Sequence, residues 1–260
     1  MSRKIEFLSN VVILDTETTS LDVKEAEVIE LGYALYNGSD WATGGNLYKA
    51  TIKITPEISF ITNITEKMVA DKPFFSKAIA EDLNPILDSF VGVGNIVAHN
   101  AQYDENVLKN YSYTKLETPW ICTLQIAKKL YGNDTTVANN KLGYLRYRFD
   151  LDIPEDMPLH RASADAYMTG KLLEYLVDEM ISRGILDEHS PYSEQILDWL
   201  AQPTVIEVMP FGKHKGKKLV EIPASYWIWA LENMNILQED SEEYDPNFAA
   251  SVEAALEQLV

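Results

Sequence analysis

Apolar and polar residues fall into blocks whose periods switch along the chain. Val11-Val12-Ile13-Leu14 is a continuous apolar run ending on Asp15, which predicts a buried strand over 11–15. Val28 to Tyr36 (VIELGYALY) predicts a second strand and Asn46 to Ile54 a third, with Asn37-Gly38 and Gly44-Gly45 as turns, together an antiparallel meander. Phe75, Ile79, Leu83, Ile86, Leu87 and Phe90 then recur at helical spacing, with Pro85 as a kink or break. A short strand, Asn95 to Ala98, runs into a helix through Leu108 for which Asn100 is the expected N-cap. Trp120-Ile121 leads into a helix ending near Tyr131-Gly132, and a shorter helix lies within Asn139 to Phe149. The strongest helical pattern is 161–182, stopped by Gly184.

Strands first as a meander and then alternating with helices predict an α/β layered domain over residues 1–184. Ser190-Pro191 opens a connecting helix within 185–203. Residues 204–260 read as a small α+β module: strand, tight glycine turn and two helices, with an acidic stretch (238–246) before the last.

Chemistry enters with Asp15 and Glu17. Residues i and i+2 of a strand share one face, so two carboxylates meet at the strand's end. They would repel, and a divalent cation with a preference for oxygen, Mg²⁺ or Mn²⁺, would relieve them. The bland alternative is a polar turn. Asp104 falls in the first turn of the helix after Asn100, where the helix N-terminus favours a carboxylate. Asp165 falls near the start of the long helix. His160 precedes it by five residues, close enough to lean over the same spot as a general base. Each alone is also an ordinary capping or first-turn residue.

Composition changes this picture little. The chain has 260 residues, 46% of them hydrophobic, enough for one sizeable core and an appendage. No apolar run approaches the roughly 20 residues of a membrane span, and the N-terminus lacks a signal-like apolar region, so a cytoplasmic location is expected. The single cysteine, Cys122, sits in an apolar context and reads as a core residue. A formal net charge of −18 argues against a protein that coats nucleic acid, but not against an enzyme that visits a strand end.

Taken in order, Asp15-x-Glu17 after a strand, Asn100-x-x-x-Asp104 opening a helix and His160-x-x-x-x-Asp165 opening another resemble the motif set of the DEDDh exonucleases. The resemblance covers roughly the first 183 residues. It implies a ribonuclease H-like fold, a five-stranded mixed sheet flanked by helices. It also implies 3′→5′ hydrolysis of DNA to nucleoside 5′-monophosphates with two ions per site. Asp15 would bridge both ions, Glu17 and Asp165 would hold the one that carries the attacking water, and Asp104 would serve the leaving-group side. His160 would take the water's proton. Thr16, Thr18 and Asn100 would lie along the strand. Relatives often carry His-Gly-Ile-Thr where this chain has Thr62-Asn63-Ile64-Thr65. Ile64 is thus expected near the 3′-terminal base with Met68, unless the two are simply one packed face.

Farther on, Phe211-Gly212-Lys213-His214-Lys215-Gly216-Lys217-Lys218, then Tyr226-Trp227-Ile228-Trp229, resembles the C-terminal module of exonuclease X-type proteins. It is not a P-loop, because the glycine spacing is too short and Lys218 stands where Ser or Thr is required. Lys213, Lys215, Lys217 and Lys218 are the expected phosphate contacts. Trp227 and Trp229 cannot share one helix face, so one of them should be exposed. The partner is expected to be a DNA 3′ end, single-stranded by preference. RNA hydrolysis and a non-catalytic binding module are the rivals. Monomer and homodimer both remain open.

Overall fold

The computed structural model describes residues 2–76, 94–111, 118–132, 134, 136–155, 157–241 and 243–258. Most of the helix expected over 75–90, Pro85 included, lies outside them. By contact the chain groups into two compact units, one of residues 1–127 with 139–197 and the other of 128–138 with 198–260.

The first unit opens with α1 (Arg3–Leu8), capped by Ser2, and proceeds through β1 (Val11–Thr18), β2 (Val28–Tyr36) and β3 (Trp41–Leu47). Two short helices, α2 (Pro56–Thr62) and α3 (Glu66–Val69), come before β4 (Asn95–Ala98) and α4 (Ala101–Lys109). β5 (Trp120–Cys122), α5 (Thr123–Tyr131), α6 (Leu142–Arg148), α7 (Ala162–Ser182) and α8 (Tyr192–Ala201) follow, the last residues of α5 (from Lys128) and of α8 (from Asp198) counting with the second unit. The sheet order is β3-β2-β1-β4-β5. β1 pairs antiparallel with β2 and parallel with β4, and β4 is parallel to β5. This is the mixed five-stranded α/β sheet of the ribonuclease H-like fold.

Two strand expectations need correction. β1 does not stop at Asp15 but continues through Thr18, so the two acids lie within the ladder, Asp15 opposite Gly32 and Glu17 opposite Glu30. β3 runs over Trp41–Leu47 instead of 46–54, and Gly44-Gly45 belong to it instead of forming a turn. The glycines serve close approach: a Cβ on Gly44 would come within 2.4 Å of the Tyr33 hydroxyl oxygen. Beyond β3, Tyr48, Ala50 and Ile54 turn inward and are buried.

α7 lies across β1, β2 and β3. Its inward face (Met168, Leu172, Leu173, Leu176, Val177, Met180) is fully buried. Gly170 admits the Trp41 ring, whose Nε1 donates to Glu174 at 2.7 Å. At the other end of the helix, a Cβ on Gly32 would fall 2.1 Å from the carbonyl carbon of Ala162. No side chain fits there, so the start of α7 rests directly on β2.

The second unit is mainly helical. The strand expected from Thr204 is reduced to an isolated antiparallel bridge, Val208 with Lys218. Single 3₁₀ turns at Gly212–His214, Leu219–Glu221 and Asn235–Leu237 accompany α9 (Ala224–Asn233) and α10 (Pro246–Glu257). Asp245 caps α10 by accepting from the amides of Asn247 and Phe248. Trp227, Phe248, Leu219, Ile222 and Val252 form the core, and the Trp227 indole donates to the Leu219 carbonyl at 3.3 Å.

Candidate active site

Three secondary-structure starts and ends deliver the acids to one place. Asp15 and Glu17 come from β1, Asp104 from the first turn of α4 and Asp165 from the first turn of α7. Glu17, Asp104 and Asp165 are all buried, and Asp15 is partly so. Glu17, His160 and Asp165 each offer a ligand atom, and the three atoms lie within 4.8 Å of one another. Asp15 stands in the electrostatic field of Asp165, Asp104 and Glu17 together.

The cost of this crowding is visible in the acidities. Burial first, and then repulsion from Asp165, Asp104, Glu17 and Glu30, holds the Asp15 carboxyl well above its ordinary range. Burial, Asp165 and Glu30 push Glu17 up to about 8, against a small opposing pull from Arg161. Burial likewise raises Asp104 to about 7 and Asp165 to about 7. At neutral pH the cluster wants either protons or cations.

The hydrogen bonds within the cluster are selective. Asp104 Oδ1 accepts from the Thr16 amide (3.0 Å) and hydroxyl (2.6 Å). Asp165 Oδ2 accepts from the His160 amide at 3.2 Å, while its buried Oδ1 has no partner. An orphaned buried carboxylate oxygen among three other acids is what a hard divalent cation would satisfy, so these residues fit Mg²⁺ or Mn²⁺.

His160 is exposed and sits in the left-handed region, φ 59°. A histidine there is strained, and its neighbours hold it. Asp165 takes its amide, and Asn63 Nδ2 donates to the Leu159 carbonyl at 3.4 Å. Asn63 itself has φ 57°. Asparagine is among the few non-glycine residues that visit this region readily, and here it closes α2. Glu30, opposite Glu17, accepts three bonds from the Arg161 guanidinium (3.2 and 3.1 Å from Nε, 2.8 Å from Nη2) and one from the Ala162 amide at 3.0 Å. It thereby fastens the segment between His160 and α7 to the sheet. Glu30, Arg161 and Gly32 escaped the sequence reading. The signal that could have found Glu30 is a charged residue inside the otherwise apolar run Val28-Ile29-Glu30-Leu31.

Several expected nucleic-acid contacts are placed differently. Ile64 is fully buried with Ile29, Ala50, Ile54 and Val69, so it cannot wedge against a base. Met68 is half-buried. The exposed apolar groups of this segment are Phe60 and Ile61 on α2. Thr16 is buried and its hydroxyl is committed to Asp104, so its side chain is not free for a strand. Thr18 is half-buried and bonded to the Ser20 carbonyl and the Tyr103 hydroxyl. Asn100 occupies the N-cap position with φ 70° but makes no side-chain cap bond, leaving its exposed amide uncommitted. Lys213, Lys215, Lys217 and Lys218 are all exposed. As the helix geometry required, Trp227 is buried and Trp229 is exposed. Cys122 is a buried free thiol.

Comparison with known proteins agrees with this geometry. The family model described as Exonuclease matches residues 12–173. A second, described as a quorum-sensing-regulated virulence factor, matches residues 196–233. Exodeoxyribonuclease 10 of Escherichia coli (strain K12) is 29% identical over 86% of this chain and 91% of its own length. The PolC-type DNA polymerase III of Thermotoga maritima is 32% identical over 84% of this chain, which corresponds to 16% of the polymerase. Among solved structures, Exonuclease X in complex with 5′ overhanging duplex DNA superimposes with a TM-score of 0.53 at 26% identity, covering 74% of this chain and 99% of that one.

Proposed function

We propose that this chain, which belongs to the exonuclease family and is a nuclease of ribonuclease H-like fold, removes nucleoside 5′-monophosphates from the 3′ end of DNA. The observation that carries the reading is the convergence of Asp15, Glu17, Asp104 and Asp165 with His160, one buried carboxylate oxygen left without a partner. The four acids would hold two divalent cations, Mg²⁺ or Mn²⁺. Once bound, such ions stabilise the entering and leaving oxygens of a phosphoryl displacement.

The protein's own groups do the rest. Thr16 fixes Asp104 through two bonds, and the His160 amide fixes Asp165, so both acids present a defined face. His160 is the base that accepts a proton from the attacking water, and its exposure lets it return that proton to solvent. The leaving group is the 3′ oxygen of the shortened strand. We assign the catalytic domain to residues 1–184 and the smaller module to 204–260.

DNA is favoured over RNA by two relatives matched over most of their own length, an exodeoxyribonuclease and an exonuclease bound to duplex DNA. The experiment is a time course on 3′- and 5′-labelled single-stranded DNA, duplex DNA and matched RNA, with Mg²⁺, Mn²⁺ or EDTA. Mononucleotides should leave the 3′ end of DNA in either metal and not in EDTA, and Asp15→Asn or Asp165→Asn should abolish release. Undiminished activity in EDTA or in either variant would refute the metal assignment. Faster loss of RNA would move the substrate to oligoribonucleotides.

A further inference from the structure

The chain carries 40 acidic and 22 basic residues, yet four of its cations crowd into positions 213–218. The segment is an ordered turn. Gly212 and Gly216 take φ 68° and 84°, a 3₁₀ turn spans Gly212–His214, and Met209 bonds both ways across it: its amide to the Lys217 carbonyl and its carbonyl from the Gly216 amide, each 2.9 Å. Lys213, Lys215, Lys217 and Lys218 all project into solvent, and among the described residues none forms an ion pair.

Between the lysines, His214 turns inward. Its ring meets Tyr226 edge-on at 4.5 Å, and Tyr226 lies 5.6 Å from Trp229. A row of rings thus leads from the lysine turn to the outer side of α9, where Trp229 is 51% exposed. A solvated lysine turn needs no aromatic neighbour, and a helix gains nothing by holding an indole in water. Unpaired cations beside an available π face combine the two contacts that bind unpaired nucleotides: phosphates on the lysines and a base on the ring. A duplex hides its base faces, and an acidic protein would use the lysines but not the indole.

We propose that the second unit carries its own binding site for single-stranded nucleic acid, with Trp229, supported by Tyr226, as the stacking platform and Lys213, Lys215, Lys217 and Lys218 as the phosphate contacts. The site shares no residue with the acid cluster, so it can be tested apart from catalysis.

The test uses the full chain as Asp165→Asn in EDTA, titrated against fluorescently labelled oligothymidylate and followed by anisotropy. Trp229→Ala should weaken binding by about tenfold. Replacing all four lysines with alanine should reduce the salt-dependence slope by about 3. Ile228→Ala, on the same helix and also exposed but without a π face, should leave affinity unchanged. An abasic strand should bind the parent protein more weakly and should not distinguish it from the Trp229→Ala variant. Equal affinity for duplex, abasic and normal strands would overturn the proposal, as would an unaffected Trp229→Ala variant. Competition by polyglutamate as effective as that by oligothymidylate would show a site for acidic protein instead.

Discussion

The acid cluster on β1 and the lysine turn at 213–218 are opposite solutions to placing like charges together. The acids are buried or partly so, and burial, joined at Glu17 by repulsion from Asp165, Glu30 and Asp104 and at Asp165 by repulsion from Glu30, raises their pKa values to about 7 or 8 where a value is resolved. The lysines are exposed and solvated, and their crowding costs little. A buried charge cluster is thus a demand for ions that the fold must support with precise contacts. An exposed one is an offer to a polyanion, held in shape only by its backbone. The first should govern turnover and stability together, and the second should govern binding alone.

The largest expected separation between them is kinetic. His160→Ala should slow hydrolysis by about 10²–10⁴, the usual contribution of a general base, while leaving oligothymidylate affinity in EDTA unchanged. Single-turnover rates beside anisotropy titrations check this, and a parallel loss of both would break the comparison. A smaller effect is thermodynamic. Glu17, Asp104 and Asp165 hold protons in the folded chain at a pH where an unfolded chain would release them. That contribution to stability is complete below the unfolded carboxyl range near about pH 4 and is lost as pH rises through about 7 to 8. Metal-free protein should therefore melt at a lower temperature at pH 8 than at pH 5. Mg²⁺ should recover the stability lost at pH 8, and Asp15→Asn should flatten the pH dependence; scanning calorimetry reads the first and last in EDTA and the Mg²⁺ effect in excess metal without chelator, and a metal-free melting temperature that rises from pH 5 to pH 8 would contradict the assigned burial. The smallest effect is a null one: alanine at all four lysines should leave the melting temperature unchanged.

The acids of the cluster were legible because their spacing follows the periodicity of a strand and the starts of two helices. A strand puts residues i and i+2 on one face, and a helix start accepts a carboxylate; none of Asp15, Glu17, Asp104 and Asp165 stands out alone, but their order along the chain does. β2 was legible for the same reason, as a long apolar run between turn signals. β3 was not, because Gly44 and Gly45 look like a turn until Tyr33 is seen occupying the space that they leave. Ile64 stayed ambiguous because an apolar residue near a motif reads the same whether it faces a base or the core. Only contact with Ile29 and Val69 decides the matter. Glu30 and Arg161 meet across 131 residues of chain, a pairing that no local pattern contains.

Gly32 gives the site a vulnerability of another kind. It carries no charge and has no side chain, yet the opening it leaves on β2 is where the helix bearing Asp165 comes to rest. Each acid could in principle exchange for another oxygen donor and retain some rate. Position 32 has no such graded alternatives, since the smallest added carbon would collide with backbone. Over evolutionary time the most restricted position of this centre would therefore be the one with no chemistry of its own, and a survey of natural variants that follows only the charged residues would pass over it.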